Sequence, residues 1–394
     1  LPVEAQPIKI LFHLNQLGYG GTEKAVLTFC ENLDRNRFTP YLFVYDKSNP
    51  IKKQLQKLIS PLSGKARRKY QKKYLAPWVR LDQFKQVLGE GYLFTGNVRT
   101  LEHVVATVQP DVVHFNRGNW EAFFDQAIEV IPSSVACIET NIFGKPPGDN
   151  YLQRLTAVYF VSQWLLNKSP WHAGKGKVLF NPIKQPATQE HLRAELGIPA
   201  DAFVMGRISR PDMIDDMFIL EVFEKFQKTV VDANRLGESY LIVLAGSDAI
   251  KQKALGFPEV KFIEPTVDEV SLSRFYNSLD VLLHHRIDGE TFGMNIAEAM
   301  IHAKPVISHL SHVDNAQAEL LQNRDNRPVG FVAQEHNLDE YLSYMTELYQ
   351  NRALAQEMGR NAKFRADELF HEQAVTRFLE SEYLRTLNTP PNSR

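Results

Sequence analysis

Short apolar, β-branched runs alternate with stretches whose apolar positions recur every three or four residues, and the alternation continues along most of the chain. In the first half, residues 8–14, 41–46, 111–116, 134–140, 158–162 and 177–180 read as strands. The second half repeats the rhythm at 203–208, 240–245, 261–263, 281–284, 305–308 and 330–333. Strands that alternate with helices predict parallel sheets, hence an α/β fold. A polar stretch, 184–190, follows Asn181-Pro182-Ile183, and Pro182 and Pro186 forbid a helix through it. The pattern predicts two Rossmann-like domains, 1–183 and 184–374. They are expected to face each other across a cleft, because open α/β sheets bind ligands beyond the carboxyl ends of their strands. Residues 341–384 contain no proline and read as helix, with Gly359 the expected break. The last part, 375–394, is expected to pack back on the first domain as a C-terminal helix and tail.

Length and composition change this picture little. A chain of 394 residues is too long for one ordinary core and suits two domains. Lys plus Arg number 45 against 46 for Asp plus Glu, so global charge points to no polyanionic partner. Cys30 and Cys137, the two cysteines, lie in apolar segments, which argues against a disulfide framework or a thiolate zinc site and for a reducing compartment. No apolar run approaches 18 residues, and Leu1-Pro2-Val3-Glu4 has no signal-peptide character, so the expected location is cytoplasmic. One segment stands apart. Residues 51–75 hold nine Lys or Arg and no acid, with Leu55, Leu58, Ile59 and Leu62 at near-helical spacing. Two readings stay open there: an interfacial segment that meets anionic lipid at the inner face of a membrane, or a solvated basic loop. Nucleic acid is not expected, since Tyr70 and Tyr74 are the only interleaved aromatics.

The densest chemistry lies in Asp288-Gly289-Glu290-Thr291-Phe292-Gly293-Met294-Asn295-Ile296-Ala297-Glu298-Ala299-Met300. A short apolar strand precedes it, and Ile296, Ala297, Ala299 and Met300 begin a helical pattern, so Phe292 to Asn295 should open a helix. The first amide groups of that helix lack intrahelical acceptors and sit at the positive end of its dipole, where a pyrophosphate can bind without a metal. Gly293 lets the phosphate approach the backbone. Glu290 in the turn and Glu298 about one and a half turns into the helix can both face a ligand across its N-terminus. Carboxylates at such places accept hydrogen bonds from vicinal sugar hydroxyls.

Other candidates stand at strand ends. Gly18, Gly20 and Gly21 form a glycine loop before an amphipathic helix, with a spacing that matches neither the dinucleotide fingerprint nor the Lys-Ser/Thr phosphate loop. The loop is equally a tight turn or a phosphate cradle. Gly206-Arg207-Ile208-Ser209-Arg210 brings two guanidiniums suited to a diphosphate, or to ion pairs with Asp212, Asp215 or Asp216. His114 ends a strand beside Asn116 and Arg117. His284 and His285 are adjacent on a strand and point to opposite faces, so no shared metal is expected.

With these residues assembled, the chain resembles the retaining glycosyltransferases of the two-Rossmann-domain (GT-B) type, glycosyltransferase family 4, over most of its length. The resemblance rests on Gly20-Gly21-Thr22-Glu23, Asn181-Pro182, Gly206-Arg207, Glu290-Thr291-Phe292-Gly293 through Glu298-Ala299, and Lys304-Pro305-Val306. It implies transfer of a sugar from a nucleotide-sugar donor, a UDP- or GDP-sugar, to a hydroxyl acceptor that is a carbohydrate, a lipid-linked glycan or another alcohol. No permanently bound cofactor or metal is implied. Carried over by position, Glu298 binds the donor ribose and Glu290 contacts the sugar, while Thr291, Phe292, Gly293, Met294 and Asn295 hold sugar and phosphate. Gly20, Gly21 and Thr22 approach the diphosphate from the other domain, and His114 contacts the donor sugar near the reacting carbon. Backbone at Gly246, Ser247 and Pro265 meets the base. The Gly-Arg motif normally continues to a lysine where this chain has Asp212, and Arg210 is expected to replace that lysine. Two rivals stay open: a nucleotide-sugar epimerase, and a non-catalytic nucleotide-sugar-binding protein, which Asp212 keeps in view.

Overall fold

The computed structural model describes residues 6–46, 76–119, 121–172, 174–209, 217–229, 238–323 and 325–388. The basic segment 51–75, Arg210 and Asp212 lie outside the described residues. The chain divides into two compact units, Leu1–Pro182 with Glu372–Arg394, and Ile183–His371.

The first unit holds β1 (Ile8–Leu14), β2 (Phe38–Tyr45), β3 (Leu93–Gly96), β4 (Val112–Arg117), β5 (Ala136–Asn141), β6 (Leu155–Phe160) and β7 (Gly176–Val178). They pair in parallel in the order β3-β2-β1-β4-β5-β6-β7. Its helices are α1 (Gly21–Asn32), α2 (Leu81–Leu88), α3 (Val98–Val108), α4 (Ala122–Val130), α5 (Asp149–Arg154) and α6 (Gln163–Lys168). Both β4 and β5 are buried along their whole length, apolar where they start and polar toward their carboxyl ends, where Asn116, Arg117, Glu139, Thr140 and Asn141 lie.

The second unit has β8 (Phe203–Ile208), β9 (Ser239–Leu244), β10 (Val260–Ile263), β11 (Val281–Leu283), β12 (Val306–His309) and β13 (Gly330–Ala333). Their order, β10-β9-β8-β11-β12-β13, repeats the reversal of the first sheet. Around them lie α7 (Phe218–Thr229), α8 (Asp248–Lys253), α9 (Glu269–Asn277), α10 (Met294–Ile301), α11 (Ala316–Leu321), α12 (Leu338–Gln350) and α13 (Arg352–Phe370). The fold class is therefore α/β with two Rossmann-like sheets. In each, the strand order reverses between the first strand and its inner neighbour, β1 with β4 and β8 with β11, which is where such sheets open a ligand crevice.

The predicted spans of β1, β8 and β13 coincide with the observed strands. β2 starts earlier than expected and runs through Pro40, which is tolerated because β3 pairs with β2 only from Leu42 onward. β3 was not anticipated: Leu93-Phe94-Thr95-Gly96 is a short edge strand, too brief to show a period. Residues 341–384 are not one helix broken at Gly359. The breaks fall at Asn351 and His371, and Gly359 lies inside α13, where a Cβ would run into the Ala303 carbonyl.

The final helix, α14 (Glu372–Asn388), returns to the first unit. Val375, Leu379 and Tyr383 join Phe12, Val26, Phe29 and Phe38 in that unit's core. Polar bonds lock the docking. Glu382 accepts from Tyr159 Oη at 2.9 Å and Lys177 Nζ at 2.9 Å, and Glu380 accepts from the Asp34 amide at 2.7 Å.

Candidate active site

In the second unit, the motif turns directly out of β11. Gly289 has a left-handed φ of 66°, and a Cβ there would collide with the Asp314 carbonyl, so only glycine lets the turn close against the loop after β12. That contact is sealed by Asp314 N donating to Asp288 O at 3.0 Å and Ala316 N donating to Glu290 O at 2.9 Å. The Glu290 amide donates to Gln317 Oε1 at 2.9 Å. Gly293, at φ 98°, caps α10 with no side-chain bond of its own, Asn295 Oδ1 accepts from the third amide, Ile296, at 3.0 Å, and no acid lies in the first turn. The helix N-terminus is thus built from groups that attract an anion and lack a protein one.

Glu290 is held on both oxygens. His284 Nε2 lies 3.3 Å from Oε1 and Arg286 NH1 3.1 Å from Oε2. Burial pushes its carboxyl up, but the bond from His284 and the Arg286 charge outweigh this and keep it below the ordinary value. Glu298 is buried on α10 and accepts from Tyr276 Oη at 2.7 Å. Burial, then the Glu298 charge, holds the Tyr276 phenol well above its usual value, so it stays a donor. Phe292 is buried edge-on to Phe370, with centroids 5.5 Å apart, so its side chain anchors the turn and its backbone alone is left to contact a ligand. Thr291 is buried, while Met294 and Asn295 are partly exposed at the opening of α10.

Arg207 ends β8 beside β11, buried, and donates from NH1 to His285 O at 3.4 Å. Next along the sheet, Ser247 caps α8 by accepting from the Ile250 amide at 3.3 Å. Gly246 packs where a Cβ would press on Val243 and Phe262, and Pro265 follows β10 with partial exposure. Arg207, Gly246, Ser247 and Pro265 are at or just beyond carboxyl ends of strands in one sheet, and Glu290 and Glu298 follow β11 of that sheet in the turn and on α10.

In the first unit, Gly20 caps α1, and Glu23, buried in its first turn, fills the space where a Gly20 Cβ would stand. Gly21 and Thr22 open the helix. His114 departs from its expected role. It is fully buried inside β4, with Nδ1 2.8 Å from Tyr383 Oη and Nε2 2.8 Å from Thr140 Oγ1. Burial lowers its pKa to about 3, so it is a neutral link between β4, β5 and α14, with both nitrogens occupied and no face open to a sugar. Its expected place at a strand end suggested chemistry, but β4 runs on to Arg117 and His114 is buried within it. Beside it, Arg117 and Glu139 make a fully buried pair, with Nε to Oε2 at 2.7 Å.

Sequence reasoning missed His284, Arg286, Tyr276 and Gln317. The two histidines were weighed only as metal ligands, and Tyr276 and Gln317 come from separate helices with no local signal. Among the described residues no cluster of His, Cys, Asp or Glu is arranged to hold a metal, and no helix is long and apolar enough to cross a membrane.

Residues 203–365 match the family model of glycosyl transferases group 1. No curated protein matches the chain in sequence. Among solved structures, a glycosyltransferase from Rickettsia africae superposes with a TM-score of 0.70 at 14% identity, covering 98% of this chain and 100% of that one. Anabaena Alr3699/HepE, solved in complex with UDP and glucose, aligns at TM-score 0.64 and 16% identity, over 96% of this chain and 100% of its own. Sucrose-phosphate synthase of Thermosynechococcus elongatus gives 0.64 at 14% identity, over 96% and 98%. The architecture is thus GT-B, the second unit carries a glycosyl transferases group 1 domain around the site, and the chain is a glycosyltransferase.

Proposed function

We propose that this enzyme moves a sugar from a nucleotide-sugar donor to a hydroxyl acceptor with retention of anomeric configuration, and that the second unit binds the donor. The observation that carries this reading is the pair of acids flanking the open N-terminus of α10. Glu290 is fixed in the turn by His284 and Arg286, and Glu298 in the helix by Tyr276. A diphosphate suits the uncapped amides of Met294 and Asn295 and the Arg207 guanidinium, which together meet its charge with no metal in the scheme. Glu298 then takes the ribose hydroxyls and Glu290 the sugar. Backbone at Gly246, Ser247 and Pro265 is left for the base. UDP or GDP is the nucleotide; that Alr3699/HepE was solved with UDP-glucose favours UDP. The acceptor, a glycan or lipid-linked alcohol, is assigned to the first unit.

Such a site works by electrostatics, stabilising charge that grows on the leaving diphosphate. Glu298→Ala should weaken the bare nucleoside diphosphate by about 1.5–3 kcal/mol, one charge-assisted hydrogen bond. Glu290→Ala should weaken the intact nucleotide sugar by a similar amount and leave the diphosphate alone. Calorimetry with both ligands decides, and equal losses of diphosphate affinity in the two variants would sink the assignment. The anomer of the transferred sugar, read by NMR, tests retention.

A further inference from the structure

Glu290 has a backbone fastened independently of its side chain. Its amide is tied to Gln317, its carbonyl to Ala316, Asp288 to Asp314, and the Arg286 amide donates to His309 Nε2 at 3.1 Å. The His284 ring makes no hydrogen bond in that stitching and only stacks on His309, with centroids 6.4 Å apart. The ring does two other things: Nδ1 lies 2.9 Å from Ser308 Oγ, and Nε2 lies 3.3 Å from Glu290 Oε1. A carboxylate only accepts, so Nε2 is the donor to Glu290, while Nδ1 shares a hydrogen bond with the Ser308 hydroxyl. His284 and Ser308 are both buried, at 3% and 0% exposure, so neither can swing away. Glu290 itself keeps some access to solvent, its side chain being 15% exposed.

We propose that His284, oriented by Ser308, is a positioning residue that sets the plane of the Glu290 carboxylate for the donor sugar. The inference rests on the reading of Glu290 as the sugar-contacting acid. Each carboxylate oxygen has two lone pairs. His284 takes one on Oε1 and Arg286 one on Oε2, which leaves one on each oxygen for two neighbouring sugar hydroxyls. A glutamate without these donors has three free torsions, and the sugar would have to freeze them on binding. The clamp removes that cost beforehand. Arg286 contributes from the more open side, its side chain 38% exposed and paired through NH1 with Glu290.

The test compares His284→Leu with His284→Gln, whose amide can offer an N–H near the same place. UDP and UDP-glucose are the probes, with GDP and GDP-mannose in parallel. Loss of one bond to a charged group should lower kcat/KM for the nucleotide sugar by about tenfold or more in His284→Leu. Affinity for the bare diphosphate should stay within about twofold, and His284→Gln should recover most of the loss. A residue that merely supports the loop would weaken diphosphate and nucleotide sugar together, because α10 opens from the same turn; that result overturns the proposal. If His284→Leu fails to fold, Ser308→Ala leaves the ring in place but loose, and should show the same sugar-selective loss in smaller degree. Wild-type behaviour of Ser308→Ala would likewise count against the proposal. Glu290→Ala separates the two levels. Should it lose sugar transfer while His284→Leu does not, only the clamp fails; should it transfer normally, the reading of Glu290 fails with it.

Discussion

Glu298 owes its placement to Tyr276, and the pair gives the sharpest single-residue expectation. Tyr276→Phe removes the donor 2.7 Å from Glu298 Oε2 and leaves a buried carboxylate one hydrogen bond short. The cost of keeping that carboxylate buried rises. Nucleoside diphosphate affinity should fall by about 1–2 kcal/mol, less than in Glu298→Ala because the acid remains. Calorimetry at pH 7 reads it, and an unchanged affinity would detach Tyr276 from the site. The two acids were legible in the sequence because their meaning is local, an acid in a turn and another on the helix that follows. Tyr276 was not, because it stands 22 residues upstream on a different helix. His114 failed as well. Its place at a strand end was misread, since β4 runs on to Arg117, and its partner Tyr383 lies 269 residues away, so no local pattern announces that α14 will close over it.

At the scale of elements, strands were legible where a run of apolar residues must be buried on both faces. β3 escaped, being four residues long at a sheet edge. Helix boundaries were read least well: Gly359 looked like a break, but its missing side chain serves close packing against Ala303. The docking of α14 is measurable through Glu382. Burial raises this carboxyl, but hydrogen bonds from Arg385, Lys177 and Tyr159 outweigh it and hold it below the ordinary 4.5. A depressed carboxyl stabilises the fold fully above its unfolded value and loses that contribution as pH falls through the folded one. Glu382→Gln should therefore destabilise the first unit by roughly 1–3 kcal/mol at pH 7. The gap between wild type and variant should shrink below pH 4.5, where the wild-type carboxylate takes up its proton. Denaturant melts across that range test it; a gap that persists undiminished in acid would show that Glu382 acts through packing and not through charge.

Across the whole molecule, the chain leaves the first unit at Pro182, builds the second, and comes back at Glu372. The alternation of strands announced two such units, and the last helical stretch was expected to return to the first. The sequence did not announce that α14 completes a core, because a helix with an apolar stripe does not say which core it enters. The consequence is unequal dependence. The second unit, Ile183–His371, is one uninterrupted stretch with its own core, centred on Phe223, Val243, Leu283, Tyr341 and Met345. The first unit buries Leu379 and Tyr383 completely, and both come from α14. Emptying sites of that kind costs about 2–5 kcal/mol each, a large share of the roughly 5–15 kcal/mol by which a domain is stable. A chain ending at His371 should therefore lose the cooperative melting of its first unit and keep that of its second. The separate fragment 183–371 should fold, and it should bind the nucleoside diphosphate with an affinity that Glu298→Ala reduces, since Glu298, Tyr276, Arg207 and the opening of α10 all lie within it. Two calorimetric transitions in the full chain, of which the fragment reproduces one, would be the expected record. A folded fragment that binds neither UDP nor GDP would mean that the donor needs more than the second unit provides.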